Sequence, residues 1–265
     1  MESVSRSLPT QGGYTTISRS EVMSRCDRLK EKFYRARQYD NDTAFLEMVE
    51  RNIESGYVVL DLGAGAGHKF AYDLKDKVGP TGQVIGADFD NRVLENPLVH
   101  RGVVLNGSTL SFDDRSFDVV FTRYVLEHVS EPEVFLTEVH RILKPGGSFL
   151  FLTPNKWHYV CVAARCTPGR FHEFYNRKRG RDETDTFPTV YHLNTRSAVR
   201  RHLKKVGFIE KELRMRESCP NYLMLAAPLF LIGIAYERLV NSTEWLAGLR
   251  VNILGHFVKP GITDH

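Results

Sequence analysis

Val58-Val-Leu-Asp-Leu-Gly-Ala-Gly-Ala-Gly67, followed after the next helix by Val84-Ile-Gly-Ala-Asp88, decides the fold of this chain. The first run is a buried strand that breaks into glycines at the mouth of a helix, and the second is a strand ending in a carboxylate. Together they make half of a nucleoside-binding α/β domain. Gly63, Gly65 and Gly67 carry no Cβ, so the loop can take positive φ and let a ligand lie against bare backbone. Asp88 then stands where a ribose diol needs an acceptor.

Outward from that segment, strand candidates Val58–Leu62, Val84–Asp88, Val103–Leu105, Asp118–Thr122 and Ser148–Thr153 alternate with helices. The helices are expected after Gly67, near Arg92, near Tyr124–Val129 and over Pro132–Leu143. Alternation of this kind requires parallel pairing with right-handed crossovers. The last helix ends at Lys144-Pro145-Gly146-Gly147, where Pro and Gly stop it and turn the chain into a strand. Leu29, Phe33, Ala36, Phe45, Leu46, Met48, Val49 and Ile53 predict one or two amphipathic helices within residues 21–57. Thr195 caps a helix through Leu203 that ends at Gly207, Phe208–Leu213 follows as an extended segment, and Val251–Lys259 is expected as a last, antiparallel strand. The predicted architecture is α/β: a Rossmann-like, doubly wound, mostly parallel seven-stranded sheet with its last strand antiparallel, plus helical lid insertions.

At 265 residues and 42% hydrophobic content, the chain can bury one large core without disulfides or metals. We therefore read a single domain over 21–265, with its ligand-binding core at 58–153 and insertions at 154–194 and 214–250. Residues 1–20 are polar, with Pro9 and Gly12-Gly13, and read as a disordered lead-in without the apolar core of a signal peptide. Cys26, Cys161, Cys166 and Cys219 are scattered without zinc-ligand spacing, so they read as reduced thiols of a cytoplasmic protein, and no metal site is expected. A net charge of +4 is too small by itself to argue for a polyanion partner, and no DNA is expected.

A glycine triplet alone does not choose among nucleotide ligands. Five segments in order do more. Asp61-Leu-Gly-Ala-Gly-Ala-Gly67, Gly86-Ala-Asp88, Leu110-Ser-Phe-Asp-Asp-Arg-Ser-Phe-Asp-Val-Val120, Tyr124-Val-Leu-Glu-His-Val129 and Leu143-Lys-Pro-Gly-Gly147 resemble the class I S-adenosylmethionine-dependent methyltransferases, especially their ubiquinone and menaquinone biosynthesis subgroup. The resemblance covers about Val58 to Thr153 and weakens through Lys205. It implies S-adenosyl-L-methionine as cofactor and S-adenosyl-L-homocysteine as product. It places Asp61 and the amides around Gly63, Ala64, Gly65 and Gly67 at the amino-acid end of the cofactor, where a helix N-terminus favours a carboxylate. Asp88 would take both ribose hydroxyls, Phe89 would pack beside the adenine, and Arg123 and Tyr124 would meet the methionine portion. The family's adenine-binding Asp is Asn106 here, with Gly107 behind it; the Asn carbonyl can still accept.

A sulfonium methyl is already activated, so alignment and exclusion of water come first, and proximity alone can supply roughly 7–11 kcal/mol of such a barrier. An oxygen or carbon acceptor still benefits from a base, for which His128, His158, His172 and His192 are candidates. Acceptor specificity belongs in the insertions at the carboxyl ends of the strands. The first offers Asn155, Trp157, Tyr159, Phe171, Tyr175 and Tyr191, an aromatic density that suits a pocket for a small, planar or lipid-like molecule. The second holds the apolar stretch Tyr222–Tyr236, shorter than the roughly 20 residues of a membrane span, in which Pro228 is expected to make a kink. It can be a buried lid helix, a peripheral membrane contact or a dimer surface; the oligomeric state stays open.

Basic runs at Arg170, Arg177, Lys178, Arg179 and Arg181, and at Arg200, Arg201, Lys204 and Lys205, suit a solvated face, an anionic acceptor or lipid headgroups. They also admit a second reading, an RNA methyltransferase, though no appended RNA-binding module accompanies them. A third is a cofactor-binding, membrane-associated scaffold without turnover.

Overall fold

The computed structural model describes residues 24–34, 40–67, 73–107, 109–166 and 188–261, with the backbone alone at 164–166. The predicted lead-in, His172, Phe171, Tyr175 and the basic residues from Arg170 to Arg181 lie outside the described residues.

Two helices, α1 (Arg25–Phe33) and α2 (Asn41–Glu50), precede the sheet. Ser24 and Asp27 cap α1 reciprocally, and the Asp40 carboxylate accepts from Thr43 N at 3.0 Å to start α2. The strands are β1 (Val58–Leu62), β2 (Gln83–Asp88), β3 (Arg101–Val104), β4 (Phe117–Arg123), β5 (Leu143–Pro154), β6 (Ile209–Arg216) and β7 (Asn252–Val258). Between them run α3 (Lys75–Val78), α4 (Pro132–Ile142), α5 (Tyr159–Cys166), α6 (Arg196–Val206) and α7 (Ala227–Asn241). The sheet order is β3-β2-β1-β4-β5-β7-β6, with β1 to β5 paired in parallel and β7 antiparallel to both β5 and β6.

Strand residues alternate between two apolar layers. Val59, Val84, Val119, Phe121, Leu150 and Leu152 pack under α2 through Phe45, Met48 and Val49. Leu60, Ile85, Val120, Phe149 and Phe151 face Leu136, Val139 and Ile142 of α4 and Val199 and Leu203 of α6. A third, smaller cluster stands apart from the sheet and joins Cys26 and Tyr34 to Cys219, Phe230 and Ile234.

Three expectations need correction. The segments near Arg92 and Tyr124–Val129 form short 3₁₀ turns, Asn91–Glu95 and Leu126–His128, because each closes a tight strand-to-loop elbow. Strand β5 begins earlier than Ser148: Leu143 already pairs with Phe117 across a register shift, and Lys144-Pro145-Gly146-Gly147 lies inside the strand. Pro228 makes no kink. It occupies the first turn of α7, where a missing N–H leaves no hydrogen bond unmade.

Candidate functional site

Parallel strands β1 to β5 end on one edge of the sheet. Chain order runs outward from β1 through β2 to β3, then reverses to β4 and β5 on the other side, so the crevice lies between the carboxyl ends of β1 and β4. At the end of β1, Gly63, Gly65 and Gly67 take φ of 90°, 52° and 74°. A Cβ on Gly63 would lie 2.3 Å from Val125 Cγ2, so the loop passes directly under the β4 elbow.

The loop is fastened to β2 by hydrogen bonds. Gly63 N donates to Ala87 O at 2.8 Å, Gly65 N to Asp88 Oδ2 at 2.8 Å, and Asp90 N to Asp88 Oδ1 at 3.0 Å. Each carboxylate oxygen retains a lone pair for a ligand hydroxyl. Asn96 Nδ2 clamps the loop from the far side through Ala64 O at 3.2 Å and Gly65 O at 3.1 Å. Sequence reasoning missed Asn96, whose contacts span about thirty residues and leave no local signal. Gly63→Ala combines a left-handed φ with the Val125 overlap, and is expected to destabilise by roughly 2–4 kcal/mol, lowering Tm by about 4–16 °C in a thermal melt.

Around the same edge, Asp61 is half-buried in β1 between its partners Gly86 and Phe121. The Phe89 ring is 61% exposed beside Asp88, and Asn106 and Gly107 are exposed just beyond β3. Arg123 Nη1 lies 3.6 Å from Asp42 Oδ1 of α2. Burial pushes the Asp42 carboxyl up to about 6 against the lowering pull of Arg123. Tyr124 follows with φ of 55°, a strained value for a tyrosine, and its N–H is held by Leu152 O at 2.8 Å. Burial and the neighbouring Asp42 carboxylate raise the Tyr124 hydroxyl. The structure thus brings Asp61, Gly63, Ala64, Gly65, Gly67, Asp88, Phe89, Asn106, Gly107, Arg123 and Tyr124 to one edge.

A second residue that sequence reasoning passed over is Glu127. It stands beside His128 in a short motif and is only 6% exposed. Thr153 Oγ1, at the end of β5, donates to Glu127 Oε2 at 3.1 Å, and Asn194 Nδ2 donates to Thr153 Oγ1 at 2.7 Å. The Glu127 carbonyl accepts from Val190 N at 2.8 Å and Tyr191 N at 3.1 Å, anchoring the chain as it returns from the first insertion. Burial pushes the Glu127 carboxyl up to about 7.

The histidine candidates are dispersed. His128 Nδ1 lies 2.9 Å from Pro188 O, His192 is exposed, and His158 is buried with Nε2 3.3 Å from Glu217 Oε2 and its ring against Tyr159. Of the aromatic insertion, Tyr159 packs edge-on to Tyr236, Trp157 is exposed with Lys156 over its ring, and Tyr191 is half-buried. Burial, with Cys161 beside it, pushes the Tyr191 hydroxyl up to about 12. Asn155 is buried and donates to Gly248 O at 2.7 Å and Arg250 O at 2.9 Å, so its amide fastens β5 to the turn before β7 instead of facing a ligand. In the second basic run, Arg200 grips Glu210 at 2.6–2.7 Å and Lys205 grips Glu133 at 2.7 Å, a surface pairing that already compensates both charges. Among the described residues no cluster of His, Cys, Asp and Glu could hold a metal ion.

Comparison with known proteins meets this geometry. Residues 60–151 match a family model described as a methyltransferase domain. The ubiquinone/menaquinone biosynthesis C-methyltransferase of Saccharophagus degradans is 34% identical over 215 residues, 76% of each chain. The protein of the same name from Burkholderia multivorans is 31% identical over 117 residues, 41% of this chain; the match spans just under half (48%) of that relative's length. Among solved structures, a SAM-dependent methyltransferase from Methanosarcina mazei superposes with a TM-score of 0.53 at 19% identity, covering 81% of this chain and 97% of that one, a likeness of fold.

Proposed function

Since the chain belongs to the class I S-adenosylmethionine-dependent methyltransferases and resembles their ubiquinone/menaquinone subgroup, we propose that it transfers the methyl of S-adenosyl-L-methionine to a small, lipid-like acceptor of phenol or quinol type. The observation that carries the reading is the glycine loop sewn to Asp88, a bare backbone cradle with a carboxylate at its rim. In this reading, Asp88 takes the ribose hydroxyls, Phe89 covers the adenine, and Asn106 accepts from its amino group. The amides of Gly63 to Gly67 and the side chains of Asp61, Arg123 and Tyr124 hold the methionine portion.

The cofactor supplies an electrophilic methyl on a positively charged sulfur. The residues around it align an acceptor opposite that sulfur and exclude water. A carbon or oxygen nucleophile must also release a proton as its bond to the methyl carbon forms and the methyl–sulfur bond breaks. Glu127 is the proposed destination of that proton. A carboxyl poised near neutrality is an effective general base, and it lies between the β4 elbow and the end of β5. Relatives named for quinone C-methylation favour a ring carbon as the methylated atom.

Incubation with methyl-labelled cofactor and a demethylated short-chain quinol is expected to give a singly methylated ring and stoichiometric S-adenosylhomocysteine. Cofactor binding without label transfer to any phenol or quinol tried would remove the acceptor class.

A further inference from the structure

A backbone carbonyl can only accept a hydrogen bond, and one such carbonyl sets the direction of the buried chain that ends on Glu127. Asn194 and Thr153 are both fully buried. Asn194 Nδ2 donates to Pro154 O at 2.8 Å and to Thr153 Oγ1 at 2.7 Å. Turned over, the amide would set its oxygen against the Pro154 carbonyl, lone pair facing lone pair, so the orientation is fixed. Asn194 Oδ1 has no partner among the described residues, and nothing competes for the opposite arrangement. With an N–H already aimed at its oxygen, the Thr153 hydroxyl must point its own proton elsewhere, and it donates to Glu127 Oε2 at 3.1 Å. The chain runs one way, from Asn194 through Thr153 to the carboxylate.

The backbone holds this chain from both ends of the first insertion. Lys156 N donates to Asn194 O at 3.0 Å, while Val190 N and Tyr191 N donate to Glu127 O at 2.8 Å and 3.1 Å. Tyr191 keeps φ of 55° in doing so, a left-handed value that a tyrosine holds only where its surroundings over-determine it. Thr195, the next residue after Asn194, caps α6.

The titratable groups that face Glu127 are the hydroxyls of Tyr124, at the end of β4, and of Tyr191, on the returning chain. Burial raises both, so they stay neutral around pH 7. His128, the next residue, turns Nδ1 to Pro188 O at 2.9 Å. What favours the charged carboxylate against burial is its own backbone N–H and the Thr153 hydroxyl.

We propose that Asn194 is a positioning residue: by committing the Thr153 hydroxyl to Glu127, it aims that carboxylate and fixes the pH at which it ionises. That this ionisation gates methyl transfer rests on the function proposed above; the relay itself does not. Carbon-13 NMR of the full chain, labelled in its glutamate carboxyls, reads the ionisation without turnover, and Glu127→Gln identifies the signal. Thr153→Val keeps the branched shape and removes the donor. It should move the Glu127 midpoint upward by about 1–2 pH units, what one hydrogen bond to a charged acceptor contributes. Thr153→Ser restores the hydroxyl and should return the midpoint to that of the unaltered protein. Asn194→Ala frees the hydroxyl to rotate and should move the midpoint the same way by less.

In the unaltered protein, the side-chain amide resonances of Asn194 should shift through the same midpoint, which tests the link even where Asn194→Ala does not fold. The kcat limb should follow the carbon signal: Thr153→Val lowers kcat on the acid side by about 10–100-fold and spares the alkaline plateau. A midpoint unmoved in Thr153→Val, or Asn194 amide signals indifferent to it, overturns the proposal. So does a loss of rate at every pH with the midpoint in place, which would make the pair packing alone. A midpoint that moves as expected while the rate limb stays supports the relay and strikes the proton transfer assigned to Glu127.

Discussion

Asp88→Ala is expected to abolish measurable S-adenosylhomocysteine binding in titration calorimetry. The carboxylate stands at the end of β2 with each oxygen held by one backbone amide, Gly65 N and Asp90 N, leaving one lone pair on each for a ribose hydroxyl. Hydrogen bonds to a charged acceptor contribute about 1.5–3 kcal/mol each, so losing two weakens binding by about 3–6 kcal/mol, a factor of roughly 10²–10⁴. The same truncation strips the Gly65 amide of its acceptor and loosens the loop that must meet the rest of the ligand. Asp88→Asn retains one oxygen acceptor and the side-chain shape, and should fall between the two. Unchanged affinity in Asp88→Ala would remove the nucleoside site from the end of β2, and with it the assignment of the glycine loop.

What made this site legible in the sequence is that its geometry is local. Val58–Leu62 is a strand with the residue bounds its apolar run implies, and the glycines after it take positive φ, Gly63 where a Cβ would meet Val125 and Gly67 where it would meet Asn96. Asp88 ends a strand whose apolar residues announce it. Features set by tertiary contact were not legible. Asn96 clamps a loop remote in sequence, and nothing about a lone asparagine after a turn says so. Val125, Leu126 and Val129 have helical spacing, but the chain must double back from β4, and Tyr124 takes a left-handed conformation instead of opening a helix. Pro228 reads as a break within an apolar run until the preceding 3₁₀ turn shows it starting the helix.

Glu127 illustrates the limit most sharply, and its replacement has the second large expected effect. An acid raised by folding binds its proton more tightly in the native chain. Below the ordinary glutamate value of 4.5 both states are protonated and pH has no leverage; between 4.5 and about 7 the unfolded chain ionises while the native one does not, so stability falls as pH rises. At about 1.36 kcal/mol per pH unit the loss totals roughly 3 kcal/mol, complete once pH passes the native value. Glu127→Gln removes that slope, and thermal melts between about pH 5 and 8 should show a flatter profile. Asp42, raised to about 6, adds a slope of the same sign that ends sooner, while His140, His202 and His256, lowered by burial, add slopes of the opposite sign that the variant retains.

In catalysis the same carboxyl must be ionised to take the acceptor's proton. The kcat of the unaltered protein should therefore climb to a plateau through about pH 7. Glu127→Gln should lower kcat by about 10²–10⁴ and erase that limb while leaving S-adenosylhomocysteine affinity in place. A glutamine that keeps the Thr153 contact preserves the packing between β4 and β5, so a loss of rate with a Tm no lower than that of the unaltered protein isolates the proton from the fold. If the limb survives in Glu127→Gln and vanishes in His128→Gln, the proton goes to the imidazole one residue on, and the buried carboxyl serves only to fix the end of β5.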